Sequence, residues 1–272
     1  MNLNFLAPYQ SELVDIPIQR KIFLEGPAGS GKTTVGVARM LALLGEGVPA
    51  SSLLVLAPQR TLAAPYQEAL RTADLPPGGQ VTLLTVGGLA RRMVDLFWPL
   101  VAEDAGFAHP DQPPSFLTLE SALYYMAYIV RPLLDEGVFD SVTIDRNRIF
   151  SQVLDNLNKA AITGFPYTEI GERLHSAWLE DTAKGHIYAD AQRCASLFRE
   201  YCLQNNLLDF SLQVEVFRRQ LWPSLICREY LKATYRHLIF DNVEEDTPLA
   251  HDLVREWLPD FDSALLIYDQ QA

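Results

Sequence analysis

The run Gly26-Pro27-Ala28-Gly29-Ser30-Gly31-Lys32-Thr33 constrains the fold of this chain more than any other segment. It matches the pattern G-x-x-x-x-G-K-[S/T] at every fixed position. Its flanks suit it as well. "KIFLE" (21–25) is a short apolar run that predicts a strand, and "TTVGVARMLALLGEG" (33–47) has helical periodicity ending at Gly45 and Gly47. A strand, a tight loop and a helix start must therefore follow one another. Glycines let such a loop turn its N–H groups toward phosphate oxygens, and the helix start presents its positive end to the same anion. Lys32 is expected to reach the β- and γ-phosphates of a nucleotide, and the Thr33 hydroxyl to ligate Mg²⁺. The expected nucleotide contacts are Gly26, Pro27, Ala28, Gly29, Ser30, Gly31, Lys32, Thr33 and Thr34.

Strand and helix signals go on alternating to about residue 100. "SLLVLAP" (52–58) and "QVTLLTV" (80–86) read as buried strands. "TLAAPYQEALRTA" (61–73) reads as helix, with Pro65 either in the first turn or bending it. From about 100 to 205 helical signals dominate, at 118–135, 146–162 and 188–204, with a weaker piece near 167–177. Strand signals return at 237–241 and 263–268, separated by the helix "LAHDLVREWL". Apolar strands alternating with helices predict a parallel sheet covered on both faces. The expected architecture is an α/β domain from 1–100 and 205–272, a P-loop NTPase parallel sheet flanked by helices, interrupted by an all-helical subdomain at 101–204.

A composition of 49% hydrophobic and 21% charged residues supports a real core. There is no uncharged apolar run of about 18 residues, so no membrane span is expected. The opening "MNLNFLAPYQSELVD" lacks the layout of a signal peptide. Cys194, Cys202 and Cys227 form no CxxC pair, which predicts reduced structural cysteines in a cytoplasmic protein. The net charge of −12 argues against a nucleic-acid coat protein but leaves room for a local basic groove. The histidines are scattered without metal-ligand spacing.

No N-K-x-D base-reading motif points to a GTPase, and a small-molecule kinase would fit in fewer residues. Taken together, the flanking segments resemble the first RecA-like domain of UvrD/Rep-type superfamily 1 DNA helicases. "LNFLAPYQSELVD" resembles the Q motif, whose glutamine, here Gln10, reads the adenine edge. "GPAGSGKTTVGVARMLALL" resembles the family's Walker A segment, with Arg39 at its usual place. "SLLVLAPQRTLAAPYQEAL" and "VTLLTVGGLARRM" resemble motifs Ia and Ib. "LLDFSLQVEVF" (207–217) is similar to the segment leading back from the insert. "YRHLIFDNVEEDTPLAHDLVREWL" resembles motif II, and "ALLIYDQQA" the start of motif III, where Gln270 or Gln271 would sense the γ-phosphate at a spacing after Asp269 shorter than the family's. The insert has the position and character of the 1B subdomain. The resemblance implies ATP and Mg²⁺ as cofactors, Asp241 as a metal residue, single-stranded DNA as a partner, and a role in DNA repair or recombination.

Three departures matter. Motif II usually reads Asp-Glu, whereas here Asn242 follows Asp241, and an amide cannot take a proton. Glu244 and Glu245 are the candidates to substitute, or else exposed acids at a helix start. Motif Ib has Val86-Gly87-Gly88 where the family has an aromatic residue and a histidine for DNA. Family helicases also carry a second RecA-like domain, and an end at Ala272 just after a strand leads us to expect an N-terminal fragment that does not unwind DNA alone. The alternative is a helicase-derived nucleotide-binding scaffold with weak or no hydrolysis. Arg60, Thr61, Arg91 and Arg92 are candidate DNA contacts or loop and surface residues. Tyr124, Tyr125 and Tyr128 are expected to be insert core rather than a stacking platform.

Overall fold

The computed structural model describes residues 7–73, 79–177 and 185–270. In chain order the elements begin with α1 (Pro8–Val14), β1 (Lys21–Gly26), α2 (Lys32–Gly45), β2 (Leu53–Leu56), α3 (Ala64–Thr72), β3 (Thr82–Leu84) and α4 (Val86–Leu96). There follow α5 (Trp98–Val101), β4 (Ser115–Phe116), α6 (Leu119–Asp135), α7 (Arg146–Thr163), α8 (Ile170–Ala177), α9 (Gly185–Gln204), β5 (Leu207–Leu208) and α10 (Phe210–Val216). The series ends with α11 (Leu225–Thr234), β6 (His237–Phe240), α12 (Pro248–Trp257) and β7 (Ser263–Asp269).

The chain divides into two compact units. The first is Met1–Leu89 with Leu225–Ala272, and the second is Ala90–Ser224. Segments 90–100 and 205–224, expected in the first domain, therefore group with the second.

The first unit is built on a five-stranded sheet in the order β1-β7-β6-β2-β3, with every pair parallel. β2 and β6 are buried at every residue, because a parallel sheet flanked by helices leaves neither strand face to water. β1 lies at the edge of the described sheet, and none of its residues is fully buried. α2 places Met40, Leu43 and Leu44 against Leu53, Val55, Ile239, Leu265 and Ile267, with Tyr66 of α3 in the same cluster. Burying each large side chain contributes about 1.5–3 kcal/mol. Pro65 sits in the first turn of α3, where no intrahelical N–H bond is lost.

The second unit is mainly helical. Thr118 and Asp145 cap α6 and α7, and Gly164 ends α7 in the left-handed conformation at φ 85°. Inside it, Arg199 donates to Ser211 Oγ (2.9 Å) and faces Asp209 and Glu215, while Asp209 also caps α10. The sequence pattern predicts an all-helical insert, but the unit also holds strands. β4 and β5 form a two-residue parallel pair, too short to carry a periodic signal. Tyr124 and Tyr128 are 67% and 63% exposed, so the expectation that they form insert core fails. Their rings cluster at the surface with Tyr125 and Tyr201, because one face of α6 meets the end of α9 there. Among the described residues no helix is long and apolar enough to cross a membrane. The three cysteines are buried free thiols, and burial pushes Cys194 up to about 12 and Cys227 up to about 11.

Candidate nucleotide site

The loop between β1 and α2 has the shape its glycines allow. Gly29 and Gly31 hold φ values of 76° and 81°, where a Cβ is unfavourable. Gly31 starts α2 without any side-chain cap, so the first N–H groups of the helix lack an intrahelical acceptor. A Cβ on Gly29 would meet nothing within 4 Å, whereas one on Gly31 would lie 2.5 Å from Gln10 Nε2. What the loop offers an anion is the uncapped start of α2.

Lys32 is 7% exposed and bends back over this loop. Its ammonium donates to Gly26 O (2.9 Å), Pro27 O (2.6 Å) and Ser30 Oγ (3.3 Å). It also pairs with Asp269 Oδ1 at 2.5 Å, at the end of β7. The backbone N–H of Asp269 donates to Glu244 Oε2 (2.9 Å), and that of Gln270 to Gly26 O (3.0 Å). The lysine is therefore already neutralised where it would meet a phosphate.

Asp241 directly follows β6 and is 1% exposed. Its Oδ2 accepts from the Tyr66 hydroxyl (2.8 Å) and its Oδ1 from the Asn242 N–H (3.0 Å). The neighbouring Thr33 side chain also pulls the carboxyl's pKa down. Burial raises the carboxyl above its usual range against the pull of these donors. Burial and the neighbouring Asp241 charge push the Tyr66 phenol well above 10, so it stays a donor. Thr33 and Asp241 thus supply a hydroxyl and a carboxylate side by side, a hard oxygen pair that fits a divalent cation.

The acidic segment after Asp241 is a turn held from both sides. Asn242 is left-handed (φ 54°, ψ 49°), a conformation asparagine tolerates better than most residues. His251 Nε2 lies 2.6 Å from Val243 O, and Glu244 binds the Asp269 backbone. Glu244 Oε1 is buried with no hydrogen-bond partner among the described residues, while Glu245 is exposed. Asp246 is pushed up by burial, and its Oδ1 accepts from the Thr247 N–H (2.7 Å).

The structure brings together Gly26 to Thr33, Asp241 and Glu244 at the carboxyl ends of β1, β7 and β6, where open α/β sheets bind ligands. It places others apart. Arg39, 4% exposed, turns to the carbonyls of Val14, Ile16 and Pro17 and braces the segment between α1 and β1. Gln10 accepts from the Ala7 N–H (2.9 Å), and its Nε2 lies 3.4 Å from Ser30 O, so it ties α1 to the loop. Thr34 is in the first turn of α2, beside the glycine-rich loop. Gln271 lies outside the described residues. Arg60 and Thr61 begin a short 3-10 turn beyond β2. Arg91 stacks over Phe116, 4.6 Å from the ring centroid, and Arg92 is exposed.

Three participants went unread in the sequence: Asp269 as the partner of Lys32, Tyr66 as the partner of Asp241, and Gly36. A Cβ on Gly36 would lie 2.2 Å from the Tyr66 hydroxyl. A tyrosine inside an otherwise apolar helix face, and a glycine inside a helix four residues past Lys32, are the only signals that could have raised them. In comparison with known proteins, no protein-family model matches this chain, and no curated protein matches it.

Proposed function

We propose that this chain is the ATP-binding region of a UvrD-like, ATP-dependent DNA helicase or translocase acting in DNA repair or recombination. In this reading the first unit is a RecA-like domain and the second its helical insert. The observation that carries the reading is the meeting of the uncapped glycine loop, Lys32, Thr33 and the buried Asp241 at one end of a parallel sheet. Loop N–H groups and Lys32 would hold the phosphates, and Thr33 and Asp241 would hold Mg²⁺. Bound Mg²⁺ would offset charge on the transferred phosphoryl group. Lys32 must leave Asp269 to reach a phosphate. Glu244, with one buried oxygen that has no hydrogen-bond partner among the described residues, is the carboxylate that would take a proton from water, since Asn242 cannot. Unwinding would require a second RecA-like domain, and single-stranded DNA would be the track.

A second reading has its own observation. Asn242 stands where a carboxylate would follow Asp241, which favours a scaffold that binds nucleotide and hydrolyses it weakly. One experiment tests both: ATP hydrolysis by the full-length protein, with and without single-stranded DNA, in wild type and Lys32→Ala. DNA-stimulated turnover lost in Lys32→Ala supports the helicase. Nucleotide binding weakened by Lys32→Ala, with background turnover, supports the scaffold. A DNA-stimulated rate unchanged by Lys32→Ala would overturn both.

A further inference from the structure

We propose that Tyr66 is a positioning residue for Asp241, and that Gly36 is a glycine so that the phenol can reach it. The inference rests on the reading of Asp241 as a metal residue. A carboxylate at the end of a strand can rotate about its Cβ–Cγ bond. Here two donors engage different oxygens, the Tyr66 hydroxyl on Oδ2 at 2.8 Å and the Asn242 N–H on Oδ1 at 3.0 Å. With one donor on each oxygen, the two together set the plane of the group.

Tyr66 comes from α3, on a different element from either Thr33 or Asp241, and is fully buried. Its hydroxyl reaches the carboxylate by passing α2 at Gly36. A Cβ there would sit 2.2 Å from the hydroxyl, 3.2 Å from Cζ and 2.8 Å from Ile267 Cδ1. The nearest of these distances is to the hydroxyl itself, so any side chain at 36 displaces the group that bonds Asp241. Gly36 lies one helical turn beyond Lys32, so the helix that opens the phosphate loop also carries the gap admitting the phenol.

The test uses Mn²⁺ as the probe, followed by electron paramagnetic resonance in the presence of ATP. Binding of ATP in EDTA and thermal unfolding are measured alongside. Tyr66→Phe keeps the ring in the core and removes only the hydroxyl. The expected result is about a ten- to hundredfold weaker Mn²⁺ affinity, as for other loss of support around a ligand, with ATP binding in EDTA unchanged. Gly36→Ala is expected to lower both Mn²⁺ affinity and the unfolding temperature. Adding Tyr66→Phe to it should restore most of the unfolding temperature but not the Mn²⁺ affinity, a split that a merely structural tyrosine would not produce. Wild-type Mn²⁺ affinity in Tyr66→Phe would overturn the inference while leaving the nucleotide site standing. A wild-type protein that binds ATP no better than Lys32→Ala would overturn the nucleotide reading and this inference with it.

Discussion

Replacing Asp269 by asparagine removes the charge that holds Lys32 over its own loop. The pair is short, at 2.5 Å, with the lysine 7% and the aspartate 23% exposed. Hydrogen bonds to charged groups contribute about 1.5–3 kcal/mol. Partial exposure of Asp269 screens the pair, so the lower end, about 1.5 kcal/mol or roughly a factor of ten, is the fitting magnitude. A triphosphate entering the loop must take the ammonium from this carboxylate and also tolerates a fixed negative charge beside it. Asp269→Asn relieves both. Calorimetric titration in metal-free buffer should therefore show ATP and inorganic triphosphate binding about tenfold tighter. The ligand-free protein should melt about 3–6 °C lower, because the pair also ties β7 to the loop. In Lys32→Ala/Asp269→Asn the tightening should vanish, since the aspartate acts through the lysine. Equal or weaker binding by Asp269→Asn alone would refute the reasoning and make the carboxylate a contributor to ligand binding.

Other outcomes can be checked as directly. Asn242→Glu should lose about 1 kcal/mol in chemical denaturation, because the position is left-handed. Its ATP turnover should stay near wild type if Glu244 takes the proton, whereas a raised rate would show that the base was missing at position 242. Arg39→Met should cost about 3 kcal/mol of stability, as it leaves three backbone carbonyls without their donor. Nucleotide affinity measured on the folded variant should stay unchanged. His237 is buried against Ser263, and burial lowers its pKa below the ordinary 6.5. The unfolded chain therefore takes up the proton first, so this contribution is complete above 6.5 and is lost as pH falls through that value. Denaturant midpoints compared at about pH 7.5 and 5.5 should fall in wild type and fall less in His237→Gln.

The phosphate loop was legible because its parts are consecutive: a strand, glycines that permit positive φ, and a helix start are all local properties. The same holds for β2, β6 and β7, whose apolar runs read directly as buried parallel strands. It also holds for Pro65, which a first helical turn accommodates. The insert's boundaries were less legible, since contacts rather than periodicity place 90–100 and 205–224 with it. Tyr124 and Tyr128 have core-like spacing yet face outward, because spacing identifies a shared face and not what that face meets.

What the sequence determined by itself is therefore the cradle: eight adjacent residues whose backbone conformation depends on their immediate neighbours. What only the tertiary structure decided is the company those residues keep. Tyr66 and Asp241 are 175 residues apart, and Lys32 meets Asp269 from the far end of the chain. Such pairs exist because parallel register aligns the carboxyl ends of β1, β7 and β6 while α3 packs across α2. Register and packing are set by the whole core at once. The local pattern at Tyr66 and Gly36 marks an odd residue in a helix but does not name its partner, and Asp269 carries no local mark at all.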